Sequence, residues 1–204
     1  PLVYDTSAFE LSPDYEADSK PWTTSDLEQT ISERARIEKA RQEITVNYYR
    51  IGHTLAFHLP VNRRYTSADL PKGIPELEHY PWLIWLCWDL EERWRIFHSA
   101  WRQLGDEEAG AILQSEIAAL EQWDHFYETH NEVGLVTAHL AGVLALALAD
   151  ESDWDAAHLK SAKTAADNLL DRDFKPWCAI RWPGNEVLTP KSIHNIPVIA
   201  LSRC

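Results

Sequence analysis

Three groups of side chains in this sequence have the types and spacing to do chemistry. The first is histidine. His125, His130 and His139 fall within one short stretch, flanked by Asp124 and Glu132, while His53 and His58 stand earlier. A helical bundle holds a metal ion with imidazoles and carboxylates on facing helices, often through a Glu-x-x-His pair on two of them. Glu76 and His79 have that spacing in a proline-rich stretch, and Asp155 with His158 repeats it using an aspartate. A pair without a second copy favours hydrogen-bonded or surface histidines, so no metal is assigned. A metal-binding bundle on His125, His130 and His139 is kept as an alternative.

The second group is aromatic. Trp82, Trp85, Trp94 and Trp101 recur at helical spacing, which is the pattern of a core face. Trp177 and Trp182 differ, because Pro176, Pro183, Gly184 and Pro190 surround them and predict a loop over 172–191. A loop indole can stack on the apolar face of a sugar ring and bond a hydroxyl through its N–H. It can equally plug the loop onto the core. The third group is Ser192-Ile193-His194-Asn195-Ile196-Pro197, which puts a histidine and an asparagine at a predicted helix start. The free N–H groups and positive dipole end there favour an anion, an asparagine can donate to a carboxylate, and a histidine can move a proton near neutral pH. The plainer alternative is that Ser192 or Asn195 only caps the helix.

No Walker A loop, GxGxxG, GxSxG, HExxH or EF-hand loop occurs, so no cofactor is expected. The 204-residue chain carries 19 Lys+Arg against 32 Asp+Glu, a net charge of −13, and such a chain repels a phosphate backbone. Nucleic acid is therefore excluded as the default partner. The same charge opposes an acidic sugar polymer at long range unless a local site reverses it. No apolar run reaches the ~18–20 residues of a membrane span, and no segment has a signal-peptide layout, so the expected location is cytoplasmic by default. Cys87, Cys178 and Cys204 are too dispersed for a metal or redox motif and read as reduced thiols.

The elements that must position these groups are helical. Residues 1–23, with Pro1, Pro13 and Pro21 among acids and aromatics, read as an extended acidic arm, and 24–204 as the helical domain. Ser25 and Glu28 have capping-box spacing and open a predicted helix over 25–58, ended by Pro60. Further helices are expected over 81–104, stopped by Gly105; from the Asp106 cap to 127; over 132–149, apolar nearly all round; and over 154–171, capped by Asp153. Asp89 and Arg93 are placed for an ion pair on one side of the second helix, and Trp88 falls on another side. No β-rich stretch competes. The fold class expected is all-α, with antiparallel helical hairpins forming part of an α/α toroid. The apolar run Ile196–Leu201 begins a last helix that the chain does not complete. That predicts a domain truncated at its C-terminus, or an end that docks on a partner or self-associates. A non-catalytic interaction module is thus a further alternative.

Tyr80-Pro81-Trp82 through Trp101, the run Leu135–Leu140, and His194-Asn195-Ile196-Pro197-Val198-Ile199-Ala200-Leu201 resemble the N-terminal helical part of the heparinase II/III-like polysaccharide lyases. The resemblance covers about residues 75–204. It implies an incomplete α/α toroid followed by a β-sandwich, and β-elimination on uronate-containing polymers. In that family an Asn or His at the start of an inner helix neutralises the uronate carboxylate, and a Tyr with a further His does the acid and base work. The resemblance puts the first role on His194 or Asn195. The Tyr and the sandwich would lie past residue 204, so the chain is expected to be incomplete as a catalyst. The substrate contacts expected are Trp177, Trp182, His130 and Asn131, and the partner expected is an acidic polysaccharide or oligosaccharide.

Overall fold

The computed structural model of the chain describes residues 23–50, 53–60, 82–126 and 133–181. Helix α1, Thr24–Ala40, opens on a capping box formed by Thr23 and Asp26. The Thr23 hydroxyl accepts the Asp26 N–H at 3.2 Å, and the Asp26 carboxylate accepts the Thr23 N–H at 2.9 Å. The box thus sits two residues before the Ser25–Glu28 pair.

The helix expected to run to 58 ends at Ala40 instead. Strands β1, Glu43–Arg50, and β2, His53–Pro60, follow and pair antiparallel, from Glu43 opposite Pro60 to Arg50 opposite His53. Composition explains the correction. Ile44-Thr45-Val46-Asn47-Tyr48-Tyr49 is a run of β-branched and aromatic residues, which lose side-chain freedom in a helix and suit a pleated strand. His53 and His58 therefore belong to a strand. This hairpin is the one sheet among the described residues, and the rest is helical, so the chain is all-α in class.

Helix α2, Trp82–Leu104, ends at Gly105, whose φ of +68° is a conformation that glycine adopts without steric cost. Asp106 then caps α3, Glu107–Ala119, by accepting the Ala109 N–H at 3.1 Å, and a 3-10 turn, Leu120–Gln122, extends it. Helix α4, Val133–Leu148, is apolar and largely buried, as its composition requires. Asp155, rather than Asp153, caps α5, Ala156–Asp167, by accepting the N–H groups of Ala157 and His158.

Helix α5 does not stop near 171. It continues through a π-helical segment, Asn168–Phe174, into α6, Lys175–Arg181. Residues 172–181 are thus helical, where Pro176 had predicted a loop. Proline has no N–H for the carbonyl four residues back, here that of Arg172, and its ring crowds that carbonyl. The wider π-turns before it relieve that conflict without ending the helix.

Partner numbering fixes the directions of the helices. Between α2 and α3, Arg93 meets Glu116, and Trp101 lies over Gly110, so one number rises as the other falls: an antiparallel hairpin. Between α2 and α4, Glu91 meets His139, Arg95 approaches Gly142, and His98 meets Asp150, so both numbers rise together and the helices are parallel. Helix α3 in turn packs on α5. Hairpin α2/α3 therefore lies beside hairpin α4/α5, with like helices adjacent. Helix α2 is enclosed by α1, β1, α3 and α4, which is why Leu86, Phe97, Trp94 and Trp101 are all buried. Among the described residues no helix is long and apolar enough to cross a membrane.

A charged network crosses this core. Arg93, 2% exposed, donates from Nε and Nη2 to the Glu116 carboxylate, and from Nη1 to the Glu38 carbonyl at 2.6 Å and carboxylate at 3.1 Å. The buried Trp94 Nε1 donates to the same Glu116 at 2.9 Å. Arg93 thus turns away from Asp89, its expected partner. Asp89 instead accepts from Arg41 at 2.8 Å, and Arg41 also bonds Glu38. Burial holds the Asp89 carboxyl above its ordinary range, with the Arg41 hydrogen bond opposing the shift. Such a network is costly to desolvate, and it fixes the register of α1, α2 and α3 against one another.

Candidate functional site

The sequence-predicted residues are placed unevenly. His130, Asn131, Trp182, His194 and Asn195 lie outside the described residues. Trp177 is described, and it corrects the loop expectation. It sits on α6 with no solvent exposure, its ring 5.7 Å from that of Phe174, in a small cluster with Val133. Of the two alternatives for this indole, packing onto the core is the one observed, and its ring offers no face to a sugar.

That cluster marks an organised end of the bundle. Asp173, within the π-segment and buried, accepts the Phe126 N–H at 2.8 Å and a two-pronged bond from the neighbouring Arg172 guanidinium. Arg172 also donates to the Trp123 carbonyl and lies over the Phe126 ring at 5.7 Å. His125 Nδ1 is 3.7 Å from Asp173. The π-helix thus brings a carboxylate and a guanidinium onto the strap 123–126, which carries the His125 imidazole, and Val133 packs with Phe174 and Trp177. The stretches that contain His130, Asn131 and Trp182 adjoin Phe126, Val133 and Arg181 in sequence.

Of the three histidines of the metal alternative, His125 and His139 are described, and they have different partners. His125 stands by Asp173, while His139 bonds Glu91. Among the described residues no group of three or more metal-capable side chains comes together.

A second constellation lies on the seam between α2 and α4. Trp85, Trp88 and His139 form a stack, with centroids 5.3 Å apart between the indoles and 5.2 Å apart between Trp88 and His139. Trp88 is 52% exposed, an unusual placement for an indole in a buried helix. His139 Nδ1 lies 2.8 Å from Glu91 Oε2, and Arg95 donates to Oε1 of the same carboxylate from Nε at 3.0 Å and Nη2 at 2.6 Å. A carboxylate only accepts, so Nδ1 carries the proton, and in the neutral ring Nε2 is then an acceptor. Burial pushes the Glu91 carboxyl up, but the bonds from His139 and Arg95 outweigh it and hold the group below its ordinary value.

Half of this constellation is legible in sequence. Trp88, Glu91 and Arg95 recur at intervals of three and four and so share one side of α2 away from the core. Their meeting with His139 depends on α4 lying parallel beside α2, and no local pattern announces that. The described thiols add no nucleophile. Cys87 is buried, and burial pushes the Cys178 thiol up.

No protein-family model matches this chain, and neither does any curated protein or solved structure.

Proposed function

We propose that this chain is the helical, substrate-cleft portion of a polysaccharide lyase acting on uronate-containing polymers by β-elimination, and that it is incomplete as a catalyst. The observation that carries the reading is hairpin α2/α3 stacked beside hairpin α4/α5 with like helices adjacent, the repeat from which an α/α toroid is built. The organised end around Asp173 supports it further, because the stretches bearing His130, Asn131 and Trp182 adjoin that end in sequence.

The chemistry sets what such a chain must supply. β-Elimination removes the proton α to a carboxylate and expels the 4-linked sugar oxygen. That proton is scarcely acidic while the carboxylate keeps its charge, so donors must neutralise the carboxylate before a base can act. In this reading His194 or Asn195 supplies the donor, His130 and Asn131 contact the polymer, and no residue of the chain is assigned as the base. Trp177 has a packing role in the cluster with Phe174 and Val133.

The test uses the 204-residue chain with polygalacturonate, alginate, heparan sulfate and hyaluronate. Unsaturated products are followed by ultraviolet absorbance, and oligouronate binding by calorimetry. The expected result is binding without turnover, with binding weakened at least tenfold in His194→Ala and Asn195→Ala. Robust turnover refutes incompleteness. Absence of binding to every polymer refutes the lyase reading.

A further inference from the structure

We propose that the α2–α4 seam carries a second saccharide site, built from Trp88, His139, Glu91 and Arg95, that takes a neutral pyranose of an oligosaccharide. This goes beyond the lyase reading and does not rest on it.

Four observations converge. Trp88 is 52% exposed although Trp85 and His139 both stack on it; centroid distances above 5 Å mark both stacks as offset, so part of the indole stays displayed and is held in place. A rigid aromatic surface loses little conformational freedom on binding, and the C–H face of a pyranose is a suitable apolar partner for it. Glu91 and Arg95 stand one and two turns along the same side of α2, next to the indole. The Glu91 carboxylate has three N–H donors for its roughly four lone-pair sites, so it has acceptor capacity left for a hydroxyl. Finally, Glu91 holds the His139 proton on Nδ1, which in the neutral ring leaves Nε2 as an acceptor, while the half-exposed Arg95 has donors beyond the two that Glu91 uses.

Acceptors and donors beside an apolar surface suit vicinal hydroxyls. The charge of the site suits a neutral ring. Glu91 and Arg95 cancel, and the neighbouring Glu92 is paired with Arg34. With a net charge of −13 on the chain, a uronate here would gain no attraction to offset its desolvation. A peptide or a second copy of the chain would use the indole but would leave the polar set without matched hydroxyls.

The experiment labels the full chain with 5-fluorotryptophan and assigns the Trp88 fluorine resonance by its loss in Trp88→Phe. The labelled protein is titrated with cellohexaose, mannohexaose and maltohexaose, and in parallel with hexagalacturonate. The proposal expects the Trp88 resonance to shift with at least one neutral hexasaccharide, with an affinity at least tenfold above that for hexagalacturonate. Trp88→Ala is expected to abolish binding, and Arg95→Ala and His139→Ala to weaken it at least fivefold, with circular dichroism unchanged. Three results overturn it: no shift with any neutral hexasaccharide up to 10 mM, equal or tighter binding of hexagalacturonate at Trp88, or a Trp88 shift that tracks protein concentration with a rise in sedimentation coefficient. Because the neutral and uronate arms are read separately, failure of this site leaves the lyase test unaffected.

Discussion

Replacing Glu116 by leucine should remove from the core a carboxylate that accepts from three buried N–H donors, Arg93 Nε and Nη2 and Trp94 Nε1. Arg93 loses the acceptor of its Nε and Nη2 bonds and keeps only Glu38, by a carbonyl and one carboxylate oxygen. Trp94, 1% exposed, loses the acceptor of its indole N–H. An orphaned buried donor costs about 1–3 kcal/mol. Breaking a buried ion pair from one side costs about 3–5 kcal/mol in total, because the surviving charge stays where water cannot reach it. For a chain of this length each kcal/mol moves Tm by about 2–4 °C, so Glu116→Leu should melt roughly 6–20 °C lower. Arg93→Met combined with Glu116→Leu removes both charges and leaves Glu38 with Arg41. The double variant should therefore be more stable than Glu116→Leu alone, with a coupling of about 2 kcal/mol or more. The assay is urea unfolding followed by tryptophan fluorescence, with m-values compared across the unsubstituted chain, Glu116→Leu, Arg93→Met and the double variant. A loss under about 1 kcal/mol for the single variant, or a coupling near zero, would refute the claim that this pair is buried and mutually dependent.

Two further outcomes follow from local geometry. A Cβ at Gly110 would lie 2.7 Å from the Trp101 ring, so Gly110→Ala should lose about 1–3 kcal/mol of stability despite alanine's better helix propensity, as urea unfolding can measure. Glu91 has a folded pKa below its ordinary 4.5, so its contribution is present above about that pH and is lost as pH falls through the depressed value. A plot of Tm against pH should therefore fall on the acid side, and Glu91→Gln should flatten that limb. An unchanged limb would show that the pairing with His139 and Arg95 contributes nothing to stability.

Much of the helical frame is legible from local chemistry. Gly105, Asp106 and the apolar spacing of α2 and α4 mark boundaries that the structure reproduces within one or two residues. The failures share a cause. Over 43–60 the charges and thin apolar stripe of α1 suggest a continuing helix, but β-branched and aromatic residues there favour a hairpin once β1 can pack on α2. At Pro176 a local rule predicts a loop, and a wider helical turn resolves the conflict instead. Asp89 faces Arg93 in sequence, yet Arg93 finds two carboxylates on other helices. The seam site follows the same logic: its α2 half is periodic and visible, while His139 arrives through tertiary packing. Trp177 shows that proline-rich surroundings are a poor guide to exposure when the helix before them continues through the segment.

The π-segment also shows how a one-residue change of length is taken up inside a helix. In an α-helix each residue advances the side-chain direction by about 100°, and the wider turns of a π-segment accommodate an extra residue within it. Deleting one residue between Asn168 and Phe174, with a return to regular α geometry, would leave the side chains after the segment facing as they do, so Trp177 would stay beside Val133. A change of length that is ordinarily tolerated only in surface loops is thus acceptable inside this rod. The same deletion in α5 upstream of Asn168, where no wide turn takes up the change, would swing Trp177 out of its cluster by about 100°.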